Sequence, residues 1–176
     1  MIAVMKRTTT DAVLTTTLDT RMGPLLAGAI DAGICLLEFA DPLRQKAQLA
    51  DVRRHFGDAI QPGRHELTDR LAEELAEYFG GTRREFSVPL VLAGTPFQRR
   101  VWEQLRKIPY GETRSYADIA RAVGSPAAVR AVGAANGRNR IAIVIPCHRV
   151  INKGGALGGY GGGLDRKQFL LDLERG

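Results

Sequence analysis

The chain has 176 residues, 44% of them hydrophobic and 25% charged, a balance that supports a packed core and excludes a disordered chain. Two cysteines, Cys35 and Cys147, exclude a disulfide framework, and beside only three histidines they leave no metal site to expect. No apolar run approaches the roughly 20 residues of a membrane helix, and residues 1–17 place no apolar stretch behind their early basic residues, so no signal peptide is read. A cytoplasmic protein with no membrane partner is expected.

The net charge of +6 is unevenly spread. Residues 1–90 carry 11 Lys and Arg against 13 Asp and Glu; residues 91–176 carry 14 against 6, a net +8. A basic half is the footprint of a polyanion partner, because Lys and Arg displace counterions from phosphates. A solvated basic face with no partner remains the alternative on charge alone.

The first half reads as a small α+β unit. Residues 14–18 are Thr-rich and β-prone, and Gly23-Pro24 follows as a turn. Two apolar runs, 25–30 and 34–39, flank Asp31-Ala32-Gly33 and predict a hairpin. Asp41-Pro42 predicts a helix start, with Gly57 stopping the helix after Phe56. Leu67, Leu71, Leu75, Tyr78 and Phe79 recur at helical spacing until Gly80-Gly81. Residues 86–92 predict another short strand. His55 and His65 are isolated in sequence, and Cys35 inside an apolar strand reads as an inert small hydrophobe. Gly94-Thr95-Pro96 marks a boundary, giving domains 1–92 and 93–176.

The second half is organised by helix punctuation. Thr95-Pro96 caps a helix carrying Phe97, Val101, Trp102 and Leu105. Ile108-Pro109-Tyr110-Gly111 is a turn. Ser115 starts a helix with Asp118 completing a capping box, and Gly124 ends it. Ser125-Pro126 predicts an immediate restart, with a helix over 126–136 that is nearly all Ala and Val around one long side chain, Arg130. Two helices about a tight Gly turn make a helix-turn-helix candidate. Its second helix carries almost no base-reading groups, so little sequence preference is expected. Tight helix–helix packing by Ala127, Ala128, Ala131, Ala134 and Ala135 is the structural alternative.

Chemistry concentrates at 141–151. Residues 141–145 are continuously apolar and predict a buried strand that Pro146 breaks. Cys147 then stands beside His148 and Arg149. Cationic neighbours raise the thiolate fraction of a cysteine, and His148 is the only nearby base. Composition alone makes Cys147 a buried hydrophobe; its neighbours favour a nucleophile. The Gly-rich run 158–163 lacks the Gly-Lys-Ser/Thr of a phosphate loop and fits a pocket wall better. Glu174, by its position alone, could be a solvated charge.

Pro146-Cys147-His148-Arg149-Val150 resembles the acceptor signature of the O6-alkylguanine-DNA alkyltransferases, the methylated-DNA–protein-cysteine methyltransferases. The resemblance extends over Gly94-Thr95-Pro96-Phe97-Gln98, Ile108-Pro109-Tyr110-Gly111-Glu112-Thr113, Ser115-Tyr116, Arg130-Ala131-Val132-Gly133, Asn139 and Gly159-Tyr160, and more loosely over the first 90 residues. It implies an N-terminal ribonuclease-H-like α/β domain and a C-terminal winged helix-turn-helix-like domain. It implies transfer of the alkyl group of O6-alkylguanine in double-stranded DNA to Cys147, once per molecule, with no cofactor, and leaves O4-alkylthymine open as a second substrate. His148 would take the thiol proton through a water, Glu174 would orient His148, and Asn139 would brace the helix-turn-helix against the site. Tyr116 would help flip the base and donate a proton, and Arg130 would fill the gap. Ala128, Ala131, Gly133, Arg138, Ser115 and Thr113 would join Arg130 on the minor groove. Tyr160, Gly159, Gly161, Val150 and Pro146 would form the pocket, and the protein would act as a monomer.

This chain departs from the family where Arg140 follows Asn139 in place of a frequent Pro, and where Gly161 replaces a Ser of some members. The zinc site of some members cannot be assembled here, and a non-enzymatic branch has Trp in place of Cys147. Two rivals remain: a DNA-binding regulator, which leaves Cys147 and His148 idle, and a thiol hydrolase, which leaves the basic half idle.

Overall fold

A computed structural model describes residues 12–176. Residues 1–11, which make up most of the segment read for a signal peptide, lie outside the described residues. The described residues divide into two compact units, 12–93 and 94–176, of mixed α+β structure.

In the first unit, β1 (Val13–Leu18), β2 (Leu25–Ile30) and β3 (Gly33–Phe39) form an antiparallel meander. Gly33 has φ +152° and a Cβ there would meet the Pro89 carbonyl oxygen at 2.7 Å, so only glycine fits. Helix α1 (Pro42–Phe56) follows, then β4 (Ile60–Pro62), then α2 (Glu66–Phe79). The sheet order is β3-β2-β1-β4, with β4 parallel to β1. Every residue of β2 and β3 is buried, as a sheet covered on both faces requires. Val13, Leu26, Ile30, Cys35, Leu36, Val52 and Val91 form one core cluster, with Leu49, Phe56 and Ile60 packed on it.

Two readings of this half are revised, and one strand is added. Residues 86–92 are not a strand: Leu90 makes a single bridge to Ile34. Two hydrogen bonds hold it, Ile34 N–H to Pro89 O and Val91 N–H to Ile34 O, and Pro89 has no N–H to extend the ladder. Strand β4 was not anticipated, because three residues pairing across a long sequence gap leave no periodic signal. His65 is not isolated: it is the N-cap of α2, its Nδ1 accepting from Leu67 N–H while Thr68 Oγ1 accepts from His65 N–H. Cys35 is buried and its thiol is pushed up to about 12 by desolvation, the state of an inert cysteine.

In the second unit, Thr95 and Gln98 form a capping box that starts α3 (Pro96–Leu105), and Ser115 and Asp118 form another that starts α4 (Tyr116–Ala122). Gly124, at φ +74°, turns the chain toward α5 (Val129–Gly137). The expected helix start at Ser125-Pro126 is corrected: Ala128 N–H bonds Ser125 O in a separate turn, and Ala128 caps α5 with no side-chain bond. Helices α3, α4 and α5 pack together, and Trp102 Nε1–H donates to Ala135 O at 2.8 Å to tie α3 to α5. Strands β5 (Arg114–Ser115) and β6 (Val150–Ile151) pair in parallel, and α6 (Leu164–Arg175) ends the chain. Among the described residues no helix is long and apolar enough to cross a membrane.

Candidate active site

Residues 141–145 are apolar and largely buried, but they are not the strand expected. They form successive turns, with Ile143 at φ +70°, the one non-glycine described residue with positive φ. A β-branched residue there is strained and needs external support. Asn139 supplies it. Its Oδ1 accepts from Ile141 N–H at 3.0 Å, and its Nδ2 donates to Ile145 O at 2.9 Å and to Cys147 Sγ at 3.1 Å. One buried amide therefore replaces a strand partner and ends on the sulfur.

Pro146 caps a single 3₁₀ turn, Cys147–Arg149, which runs directly into β6. The pairing of β6 with β5 brings the start of α4, and so Tyr116, next to the acceptor run. Cys147 is 6% exposed and forms part of a cavity of about 530 Å³. Tyr116, Arg130, Gly133, Gly159, Tyr160 and Gly161 line the same cavity. Tyr116 Oη–H reaches Gly159 O at 3.5 Å, and its phenol is pushed up by burial and by charge on Cys147.

His148, Glu174 and Arg149 form a buried network. Glu174 is no solvated charge. Its Oε1 accepts from His148 Nε2 at 2.9 Å and from an Arg149 terminal nitrogen at 2.9 Å. Its Oε2 accepts from Arg149 Nε at 2.8 Å and from Gly111 N–H at 3.1 Å. Burial pushes this carboxyl up, but the hydrogen bonds from His148 and Arg149 outweigh it and hold the group well below the usual carboxylate range. A carboxylate only accepts, so the His148 proton sits on Nε2 and Nδ1 keeps its lone pair. That Nδ1 is buried without a hydrogen-bond partner. Burial pushes the imidazole below its ordinary value despite Glu174, and Arg149 and Lys167 push the same way.

The pH dependence of stability follows from these shifts. His148 is depressed on folding, so the unfolded chain takes up its proton first. Stability is present above about pH 6.5, the ordinary histidine value, and is lost as the pH falls through the lower folded value. Glu174 adds a second loss below about 4.5, by the same sign. Urea midpoints measured from pH 8 to pH 4 should fall in that order, and a midpoint that rises between 6.5 and 5 contradicts the buried neutral imidazole.

Other candidate residues lie elsewhere. Pro146 and Val150 are buried and are not cavity-lining. Ala131 and Arg138 are exposed, and Ala128 is half-buried at the start of α5. Ala127 and Ala134 are exposed too, so helix packing does not account for the alanines; only Ala135 is buried. Thr113 and Ser115 line a second depression of about 380 Å³ with Arg114, Arg121 and Lys153.

Sequence reasoning missed Lys167, which is fully buried. Its Nζ donates to Val150 O at 2.6 Å and to Leu157 O, tying the cavity loop to the strand after Cys147. Burial pushes the ammonium down to about 8, opposed by attraction to the charge on Cys147. A signal was present: the buried stripe of α6 at i, i+3, i+4, i+7 reads Lys167, Leu170, Leu171, Glu174, with Phe169 outside it. Charges on such a stripe are almost never fully buried unless they are paired.

Residues 96–176 match the family described as 6-O-methylguanine DNA methyltransferase, DNA binding domain. The methylated-DNA–protein-cysteine methyltransferase of Mycolicibacterium paratuberculosis is 50% identical over 154 residues, 83% of this chain and 90% of that protein. The constitutive one of Bacillus subtilis is 57% identical over 122 residues, 67% of this chain and 74% of that protein. The crystal structure of Mycobacterium tuberculosis OGT in complex with DNA is 44% identical, covers 93% of each chain and superposes with a TM-score of 0.79. The chain belongs to the methylated-DNA–protein-cysteine methyltransferase family.

Proposed function

We propose that this protein repairs double-stranded DNA by moving the alkyl group of O6-alkylguanine onto Cys147, irreversibly and once per molecule, after the damaged base has flipped into the cavity. The observation that carries the reading is the set of groups at one cysteine: a thiol at a cavity wall, an amide donor on it from Asn139, and a neutral imidazole on the next residue backed by a carboxylate.

In this mechanism His148 Nδ1 takes the thiol proton through a water, and Glu174 holds the ring in the required tautomer. The Asn139 N–H suits the sulfur better as it gains negative charge. The thiolate attacks the alkyl carbon; the S–C bond forms as the C–O6 bond breaks. The electron pair goes to guanine, where Tyr116 donates a proton toward O6 or N3. The proton lost by sulfur balances the one gained by guanine. The product is a thioether, which no base at neutral pH returns to a thiol.

Flipping is required because the alkyl carbon is out of reach inside the stack, and a damaged pair costs less to open. Arg130 fills the gap, while Ala128, Ala131, Gly133, Arg138, Ser115 and Thr113 contact the minor groove. Exposed alanines let α5 approach DNA closely. The first unit is read as ribonuclease-H-like. The second is read as a winged helix-turn-helix, with α4 and α5 as its helices and the loop after β6 as its wing. The protein acts as a monomer, in the cytoplasm.

Intact-protein mass spectrometry after incubation with an O6-methylguanine duplex tests the reading. A gain of one CH2 that saturates at one equivalent and maps to the Cys147 peptide is expected, with Cys35 unlabelled. Continued turnover would favour a hydrolase, and no covalent change would favour a regulator. Affinity should vary little among unrelated duplexes, and log affinity should fall linearly with log salt. A preferred operator sequence or a flat salt response argues against the proposed DNA interface.

A further inference from the structure

The turn Ile108-Pro109-Tyr110-Gly111 has no task in the chemistry above, yet it meets Arg149 and the end of α6. Ile108 O accepts from Arg149 Nη1 at 2.6 Å, and the guanidinium carbon lies 5.8 Å from the centre of the Tyr110 ring. Tyr110 Oη–H donates to Leu173 O at 3.2 Å, and Gly111 N–H donates to Glu174 Oε2. Arg149 is thus fixed from the side away from Glu174. Its Nε and Nη2 are left to pair with both oxygens of that carboxylate. The result is a buried, two-point pair between a guanidinium and a carboxylate.

Such a pair has no net charge. A carboxylate alone behind an imidazole makes the ring more basic, because the cation gains a counter-charge. Here Arg149 already neutralises Glu174. His148 keeps the orienting hydrogen bond, but the charge that would stabilise its protonated form is taken up. Burial, Arg149 and Lys167 all act against a proton on His148, and Glu174 opposes them. Lys167 and Glu174 come from α6, and Cys147 precedes the ring in its own turn. Helix α3, which packs on the same turn, buries only Val101, Trp102 and Leu105. We infer that Arg149, braced by the 108–111 turn, is a positioning residue that cancels the charge of Glu174, so that the carboxylate orients His148 without turning it into a cation. The unprotonated base then persists into mild acid, where an imidazole facing an unpaired carboxylate is already blocked. The inference rests on the proposed alkyl transfer and sets the pH range of its base.

A pH profile tests it. Single-turnover transfer from saturating O6-methylguanine duplex is followed from about pH 5.5 to about 8.5 in the full chain, for wild type, Arg149→Gln and Arg149→Lys. Gln keeps a donor for Glu174 and removes the charge; Lys keeps the charge. In Arg149→Gln the acidic limb should move up by about one pH unit or more, so that the ratio of the rates at pH 6 and pH 8 falls about three- to tenfold. In Arg149→Lys the limb should stay near wild type. A merely structural Arg149 slows transfer by one factor at every pH, and an unmoved limb in Arg149→Gln overturns the inference. Arg149→Met provides the same reading if the Gln variant does not fold. Nitrogen NMR of the histidine rings reads the same group with no reaction at all. A wild-type His148 ring that takes up its proton at or above about pH 6.5 overturns the inference without any variant. If wild type fails to react at any pH while its His148 ring stays neutral, the alkyl-transfer reading fails. If it reacts but the limb does not move, only the role of Arg149 fails.

Discussion

Cys147→Ser should abolish alkyl transfer, and His148→Ala should slow it by about 10²–10⁴-fold, the usual contribution of a general base. Both side chains are buried, so affinity for undamaged duplex should stay near wild type in each. A His148→Ala loss below about threefold would remove the base from the mechanism. Glu174→Gln is the sharper variant. Both Glu174 oxygens accept from two donors, drawn from His148, Arg149 and Gly111. An amide nitrogen in either place points donors at donors, and the buried Arg149 guanidinium loses its counter-charge. Breaking a buried pair in this way costs about 3–5 kcal/mol. Urea unfolding should show that loss, and transfer should slow even where the variant is fully folded. A stability within about 1 kcal/mol of wild type would mean that Arg149 finds another acceptor.

Arg130→Ala should slow repair of O6-methylguanine in duplex DNA roughly tenfold or more, while reaction with free O6-benzylguanine stays within about twofold. Unstacking a base costs a few kcal/mol, and a side chain filling the gap recovers part of it. The expectation starts from two observations: Arg130 is exposed on α5 and lines the cavity that holds Cys147. Arg130→Lys should be intermediate, since Lys fills space but lacks the planar guanidinium that stacks on bases. If Arg130 only contacts phosphate, the Ala variant loses affinity for damaged and undamaged DNA alike, and saturating DNA restores its rate. Equal slowing on duplex and free base would mean that Arg130 supports the fold of the site, and the gap-filling role would fall.

The elements legible from sequence are those set by short-range physics. The hairpin of β2 and β3, the capping boxes at Thr95 and Ser115, and the stops at Gly57 and Gly124 each depend on residues within a few positions of one another. Cys147 and His148 stood out for the same reason, being adjacent to each other and to Arg149 in a run that is otherwise apolar. What the tertiary structure decided involves partners far apart in sequence or a backbone bond taken over by a side chain. Periodicity makes 141–145 a strand; the Asn139 amide satisfies its backbone instead and bends it into turns that aim a donor at the sulfur. Helix α5 starts later than Pro126 suggests, because the backbone of Ser125 and Ala128 closes a turn first. Glu174 reads locally as a solvated charge on a terminal helix, and nothing local marks Lys167. Packing buries them, and their partners lie 25 and 17 residues away at Arg149 and Val150. The spacing of α6 puts both on one stripe, but the partners that make their burial tolerable lie beyond the helix and are not encoded in it.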